Sequence, residues 1–110
     1  MPSTHIENPT ELQAALDSNK HVVLDFFSTD CPPCAALAPI FEKVSDRYPD
    51  VAFLKMMRQD NRDLAERFSV MSSPTVLFFS DGKITDKRLC GSMTENELVQ
   101  AIDESLSYRS

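Results

Sequence analysis

Tryptophan is absent from the 110 residues, and glycine occurs only twice. So little glycine excludes a collagen-like or glycine-rich low-complexity chain. Cysteine is scarce as well. Cys31, Cys34 and Cys90 are too few and too unevenly placed for the disulfide framework of a small secreted domain, so a reducing, cytoplasmic home is expected. No run approaches the roughly 20 apolar residues that a membrane-spanning helix needs. The opening residues Met1 to Asn8 lack a basic stretch followed by an apolar one, so no secretory signal is expected. Positive charge is in deficit, 11 Lys and Arg against 17 Asp and Glu. The resulting net charge of -6 excludes nonspecific nucleic-acid binding, because phosphates would be repelled. What remains is ordinary globular composition, at a length suited to one core, and a single domain over 1–110 is expected.

The order of elements follows from pattern. Asn8-Pro9-Thr10-Glu11 reads as a helix start, with a capping Asn, Pro at the first helical position and Glu at the third. Leu12 and Leu16 give that helix its apolar face. His21 to Phe27 is a nearly continuous apolar run of strand length, the signature of a strand buried on both faces. Ser28-Thr29-Asp30 leads into a helix carrying Leu37, Ile40, Phe41 and Val44, with Pro39 inside it as a kink. Val51 to Met57 reads as a second buried strand and Asp60 to Phe68 as a short helix. Thr75–Phe79 and Ile84–Cys90 read as strands joined through Asp81-Gly82, a hairpin signal. Thr94 and Glu97 form a capping box ahead of a last helix with Leu98, Ile102 and Leu106 on one face. Alternation first and a hairpin last predict an α/β fold with a mixed sheet.

Cys31-Pro32-Pro33-Cys34 carries the chemistry. The pair follows a buried strand and opens a helix, whose free N–H groups and positive dipole end favour a thiolate. Cys31 is then the accessible nucleophile, and Cys34, one turn inward, resolves the mixed disulfide. The prolines suit a first helical turn, where missing N–H groups cost little. The competing reading is half of a zinc site, for which only Cys90, His5 and His21 remain, none at ligand spacing. No metal is expected. His5 and His21 are read as facing solvent, and Cys90 as a small buried apolar residue.

Several motifs in order resemble the thioredoxin family, over nearly the whole chain. Leu24-Asp25-Phe26-Phe27 is similar to the strand before the family's redox motif, and Cys31-Pro32-Pro33-Cys34 to the motif itself. Ala38-Pro39 resembles the kinking proline, Ser73-Pro74-Thr75 the cis-proline segment, and Asp81-Gly82 and Gly91 the later glycines. The resemblance implies a thioredoxin fold, a central mixed β-sheet flanked by helices. It also implies a redox-active Cys31–Cys34 disulfide with no bound cofactor, disulfide-containing protein substrates and a thioredoxin-reductase-type donor. A monomer without membrane or nucleic-acid partners is expected. Pro74 is then expected in cis, offering backbone groups to an extended substrate. Asp25 matches the family's buried carboxylate, which assists proton transfer at the inner cysteine, and burying an Asp in an apolar strand is costly enough to suit that role. The alternative for Asp25 is an exposed strand end. Lys55 matches a lysine near that carboxylate, its alternative being an ordinary strand-end lysine. Cys90 and Gly91 fall in a segment that the family places near the docking groove.

The departures concern that groove. Asp30 stands where the family usually has Trp, Phe27 where a second Trp is common, and Ser73 where an aliphatic residue precedes the cis-proline. They exchange an apolar docking surface for a more polar one. Asp30 beside Cys31 disfavours a thiolate, an effect that exposure would screen. Pro32-Pro33 supplies no stabilising cation and restricts the reduced dithiol, so closing the disulfide loses less entropy. These features point to a reductase rather than an oxidase. The rival readings are a binding or scaffold subunit of the same fold, and a dedicated electron carrier for one enzyme.

Overall fold

Three mainly apolar runs form the middle of one sheet: His21–Phe27 (β2) and Thr75–Ser80 (β4), rich in β-branched and aromatic residues, and Ala52–Met57 (β3), built on Phe, Leu and Met. A computed structural model describes residues 3–107, so residues 1–2 and 108–110 of the expected 1–110 domain lie outside the description. Two more strands complete the sheet, Thr4–His5 (β1) and Lys83–Cys90 (β5), in the order β1-β3-β2-β4-β5. β1, β3 and β2 run parallel, whereas β4 opposes β2 and β5 opposes β4. The mixed sheet matches the expectation. The sequence reading lacked β1, because two exposed residues carry no periodicity; pairing with Leu54 and Lys55 makes them a strand.

Among the described residues four helices cover the sheet: Pro9–Ser18 (α1), Pro32–Ser45 (α2), Arg62–Arg67 (α3) and Glu95–Leu106 (α4). The Asn8 side chain caps α1 as expected, but Glu11 accepts from the Glu7 N–H rather than closing a box on Asn8. The box at Thr94 and Glu97 is complete. α3 is shorter than the 60–68 reading. Asn61 takes the cap position and turns its amide back to the Met57 carbonyl, so the chain before Arg62 is not helical. The helix α2 continues through Pro39 without interruption. Asp81 and Gly82 both adopt left-handed backbone (φ 53° and 79°), as a two-residue hairpin turn demands.

Alternation along β2 places the site. Val22, Leu24 and Phe26 pack on one face with Leu12, Leu16 and Leu64 from α1 and α3. Val23 packs on the other face with Leu37, Phe41, Leu98 and Ile102 from α2 and α4. Fully burying side chains such as Phe41 and Phe78 is worth about 1.5–3 kcal/mol each. With a period of two, Asp25 shares the face of Val23, beneath α2.

Candidate functional site

The end of β2 delivers the chain to Ser28-Thr29-Asp30 and then to α2. Cys31 caps the helix and Pro32-Pro33 fills its first turn, where the missing N–H groups are orphans anyway. The Cys34 N–H donates to Cys31 Sγ at 3.3 Å. That bond and the helix N-terminus both favour negative charge on this sulfur. Cys31 and Cys34 are joined as a disulfide with their Cα atoms 5.2 Å apart. Cys31 is half-buried at the surface, while Cys34 is buried. Among the described residues, no group of three or more His, Cys, Asp and Glu forms a metal-ligating cluster around the pair.

The second wall is the loop ahead of β4. The Ser73–Pro74 bond is cis, and the Ser73 carbonyl oxygen lies 3.6 Å from Cys31 Sγ. Thr75 is buried and donates to the Ser72 carbonyl. Across the β4–β5 ladder Thr75 faces Cys90, and the Gly91 N–H donates to the Pro74 carbonyl at 2.9 Å. Ser73, Pro74, Thr75, Cys90 and Gly91 thus gather along one edge beside the disulfide. Cys90 is exposed, not buried as the sequence suggested. It ends the edge strand of the sheet, and its sulfur is 3.9 Å from the Thr75 hydroxyl. Gly91 has φ 77°, which glycine adopts without strain.

Asp25 is 1% exposed, which removes the strand-end alternative. Its Oδ1 is buried with no hydrogen-bond partner. Burial pushes the carboxyl up to about 7; the Lys55 ammonium opposes that rise and the Glu42 carboxylate adds to it. Lys55 stands opposite Asp25 in the parallel register. Its ammonium, however, pairs with Glu42 at 3.9 Å and lies 5.6 Å from the center of the Phe27 ring. Asp25, Lys55 and Cys34 line one hollow of about 620 Å³, with the small side chains of Ala35 and Ala38 on its α2 wall. A buried acid with a pKa near neutrality, reachable from Cys34 through that hollow, is suited to moving a proton.

Asp30 also lines this hollow and has φ 53°. Asp is among the few residues that tolerate left-handed backbone, so its presence has a local conformational reason. His5 is exposed as expected and stacks edge-on against Phe27, whereas His21 is only partly exposed and approaches Ser80. Sequence reasoning missed the side chains that hold the two walls together. The Ser28 and Ser73 hydroxyls are 2.5 Å apart. Gln59 accepts from the Thr29 N–H and donates to the Thr29 hydroxyl, both at 2.9 Å. Arg58 donates to the Val70 and Met71 carbonyls. These pairs join residues 12 to 45 positions apart and leave no local pattern.

Residues 3–104 match the family model described as Thioredoxin. A thioredoxin of Mycoplasmoides gallisepticum is 41% identical over 98 residues, covering 89% of this chain and 97% of that one. Thioredoxin-2 of Saccharomyces cerevisiae is 41% identical over 81 residues, 73% of this chain and 78% of that one. Among solved structures, a mutant thioredoxin from Halobacterium salinarum superimposes with a TM-score of 0.88 at 27% identity, covering 98% of this chain and 95% of that one. Oxidised mitochondrial thioredoxin 3 of Saccharomyces cerevisiae gives 0.84 at 29% identity, with 93% and 94% covered.

Proposed function

The chain belongs to the thioredoxin family and is a dithiol–disulfide reductase with a redox-active Cys31–Cys34 disulfide; on that premise we propose how its residues divide the work. The reading rests on one observation above the others: a half-buried sulfur at a helix N-terminus is bonded to a buried one, and both line one hollow with Asp25, whose Oδ1 is buried without a partner. In the reduced protein the Cys31 thiolate attacks a substrate disulfide and expels one substrate thiolate. Cys34, giving its proton to ionised Asp25, then attacks Cys31 Sγ and expels the second substrate sulfur as a thiolate; both substrate thiolates take protons from water, and Asp25 returns its proton to water. Two electrons pass to the substrate and the Cys31–Cys34 disulfide re-forms. A thioredoxin-reductase-type dithiol donor restores the dithiol. Pro32 and Pro33 shape the first turn, Ser73, Pro74 and Thr75 with Cys90 and Gly91 form the edge for an extended substrate, and Lys55 tempers the charge at Asp25. The protein acts as one domain, monomeric and cytoplasmic.

The first test is selective alkylation. In the oxidised protein, limiting iodoacetamide is expected to modify Cys90 alone among the three cysteines, since its thiol is free and exposed. After reduction at pH 7, Cys31 should react first, ahead of Cys90 and buried Cys34, read by peptide mass spectrometry. Preferential labelling of Cys34 would reverse the roles of the two thiols.

A second expectation concerns Asp30. Asp30→Asn keeps a side chain that tolerates φ 53° while removing the charge. It should raise the Cys31 alkylation rate about two- to threefold at low ionic strength, a modest effect because Asp30 is exposed. Near 1 M salt the gain should vanish. Equal rates at both ionic strengths would leave Asp30 with a purely conformational role.

A further inference from the structure

We infer that the surface running from the cis-proline loop to α3 selects substrates whose disulfide segment carries an apolar residue and then a carboxylate a few positions from the reacting cysteine. The inference rests on the reading that substrate docks along that loop, and names the class of segment it takes. Met71 is 80% exposed, and among the described residues it is the large apolar side chain most open to solvent. It lines a hollow with Arg58, Arg62 and Val70 that shares no residue with the Asp30 hollow.

Charge marks the hollow itself, although Asp60 and Asp63 lie with Arg62 on its far side. The protein carries a formal net charge of -6, yet two guanidinium groups share the hollow with a single carboxylate, Glu66. Among the described residues no carboxylate lies within 4.0 Å of either group. Arg58 is held by the Val70 and Met71 carbonyls, and Arg62 by a long bond to the Gln59 carbonyl. Carbonyls orient these cations without neutralising them, so their charge remains open to a partner.

Reach is set by the backbone. Ser73, whose carbonyl lies by Cys31 Sγ, is two residues from Met71. A partner strand advances about 3.3 Å per residue. A partner segment lying along the loop therefore has Met71 within a few residues of its cysteine, and the flexible thioether there adapts to varied apolar shapes. Arg58, bonded to the Met71 carbonyl, and Arg62 line the same hollow and come next along that segment's path. Arg is the side chain suited to a carboxylate at such a rim.

The test is single-turnover reduction of two disulfide-linked peptide dimers by protein reduced beforehand with dithiothreitol and desalted. One peptide carries Leu and Glu, the other Leu and Lys, at the second to fourth positions on both sides of its cysteine. The unmodified protein should reduce the Glu peptide about five- to tenfold faster at low salt, the preference falling toward one near 1 M salt. Arg62→Glu should invert the order, and Arg62→Lys should keep it. Met71→Ser should slow the Leu-Glu peptide more than a matched Ser-Glu peptide. Equal rates for the Glu and Lys peptides with the unmodified protein, or an unchanged ratio in Arg62→Glu, overturn the inference while leaving disulfide exchange intact. If the unmodified protein reduces neither peptide, the exchange reading fails, and this inference with it.

Discussion

Cys34→Ser is expected to abolish catalytic reduction of protein disulfides, by on the order of a thousandfold or more, while accumulating a mixed disulfide at Cys31. The serine hydroxyl cannot attack Cys31 Sγ, so the covalent complex has no intramolecular exit. Burial matters here. Cys34 is 7% exposed, so the thiol that the substitution removes is one that external thiols do not replace in place. Exposed Cys90 sits at the same edge and could capture partners of its own, so the substitution belongs in a Cys90→Ser background. The complexes are collected from a cell extract under non-reducing conditions, then released with dithiothreitol and identified. Cys31→Ser in the same background should trap nothing. Turnover that survives Cys34→Ser would show that resolution comes from outside the motif, and the pair would not be the working couple. The proteins captured also define the substrate set.

The elements that speak locally were legible in the sequence. His21–Phe27 announces itself by continuous apolarity, Asp81-Gly82 by turn chemistry, and α4 by the Thr94–Glu97 box. The redox pair was legible because both cysteines lie within one helical turn. Features that depend on pairing across the chain were not. The strand β1 exists only because β3 offers an edge, and the exposure of Cys90 depends on which face of β5 the helices leave open at its end. Lys55 was placed near Asp25, but its preference for Glu42 depends on where α2 crosses the sheet. The clasps Ser28–Ser73 and Gln59–Thr29 join loops far apart in sequence, and serine and glutamine give no periodic signal. The cis bond at Pro74 followed from resemblance alone, since cis forms are only about 5–6% of X–Pro bonds in folded proteins.

Asp25→Asn should stabilise the oxidised protein at high pH and leave it nearly unchanged at low pH. The carboxyl is raised from 3.8 to about 7, chiefly by burial. In the unfolded chain it ionises near 3.8, so between pH 3.8 and 7 the folded state holds a proton that the unfolded state has lost. Stability therefore falls as pH rises through that window, and above pH 7 the full cost of a buried carboxylate is present. Converted at about 1.4 kcal/mol per pH unit, the gap amounts to about 4 kcal/mol, an upper bound because the ionised site can relax or admit water. Asn has similar shape and never ionises. Urea unfolding of both proteins at pH 4, 6 and 8 should show a gain for Asp25→Asn that grows from near zero to several kcal/mol. Function should move the other way. Without a proton acceptor beneath Cys34, reduction of a protein disulfide should slow by about a hundredfold near pH 7, where a group titrating at 7 is best matched to its task. The loss should shrink at higher pH, where the Cys34 thiol ionises without help. A stability difference that is flat from pH 4 to 8 would show that the carboxyl is not raised in the folded protein. A rate profile identical to the parent's would remove Asp25 from the proton path. The cost of keeping an unpartnered acid in the core would then stand without a compensating role.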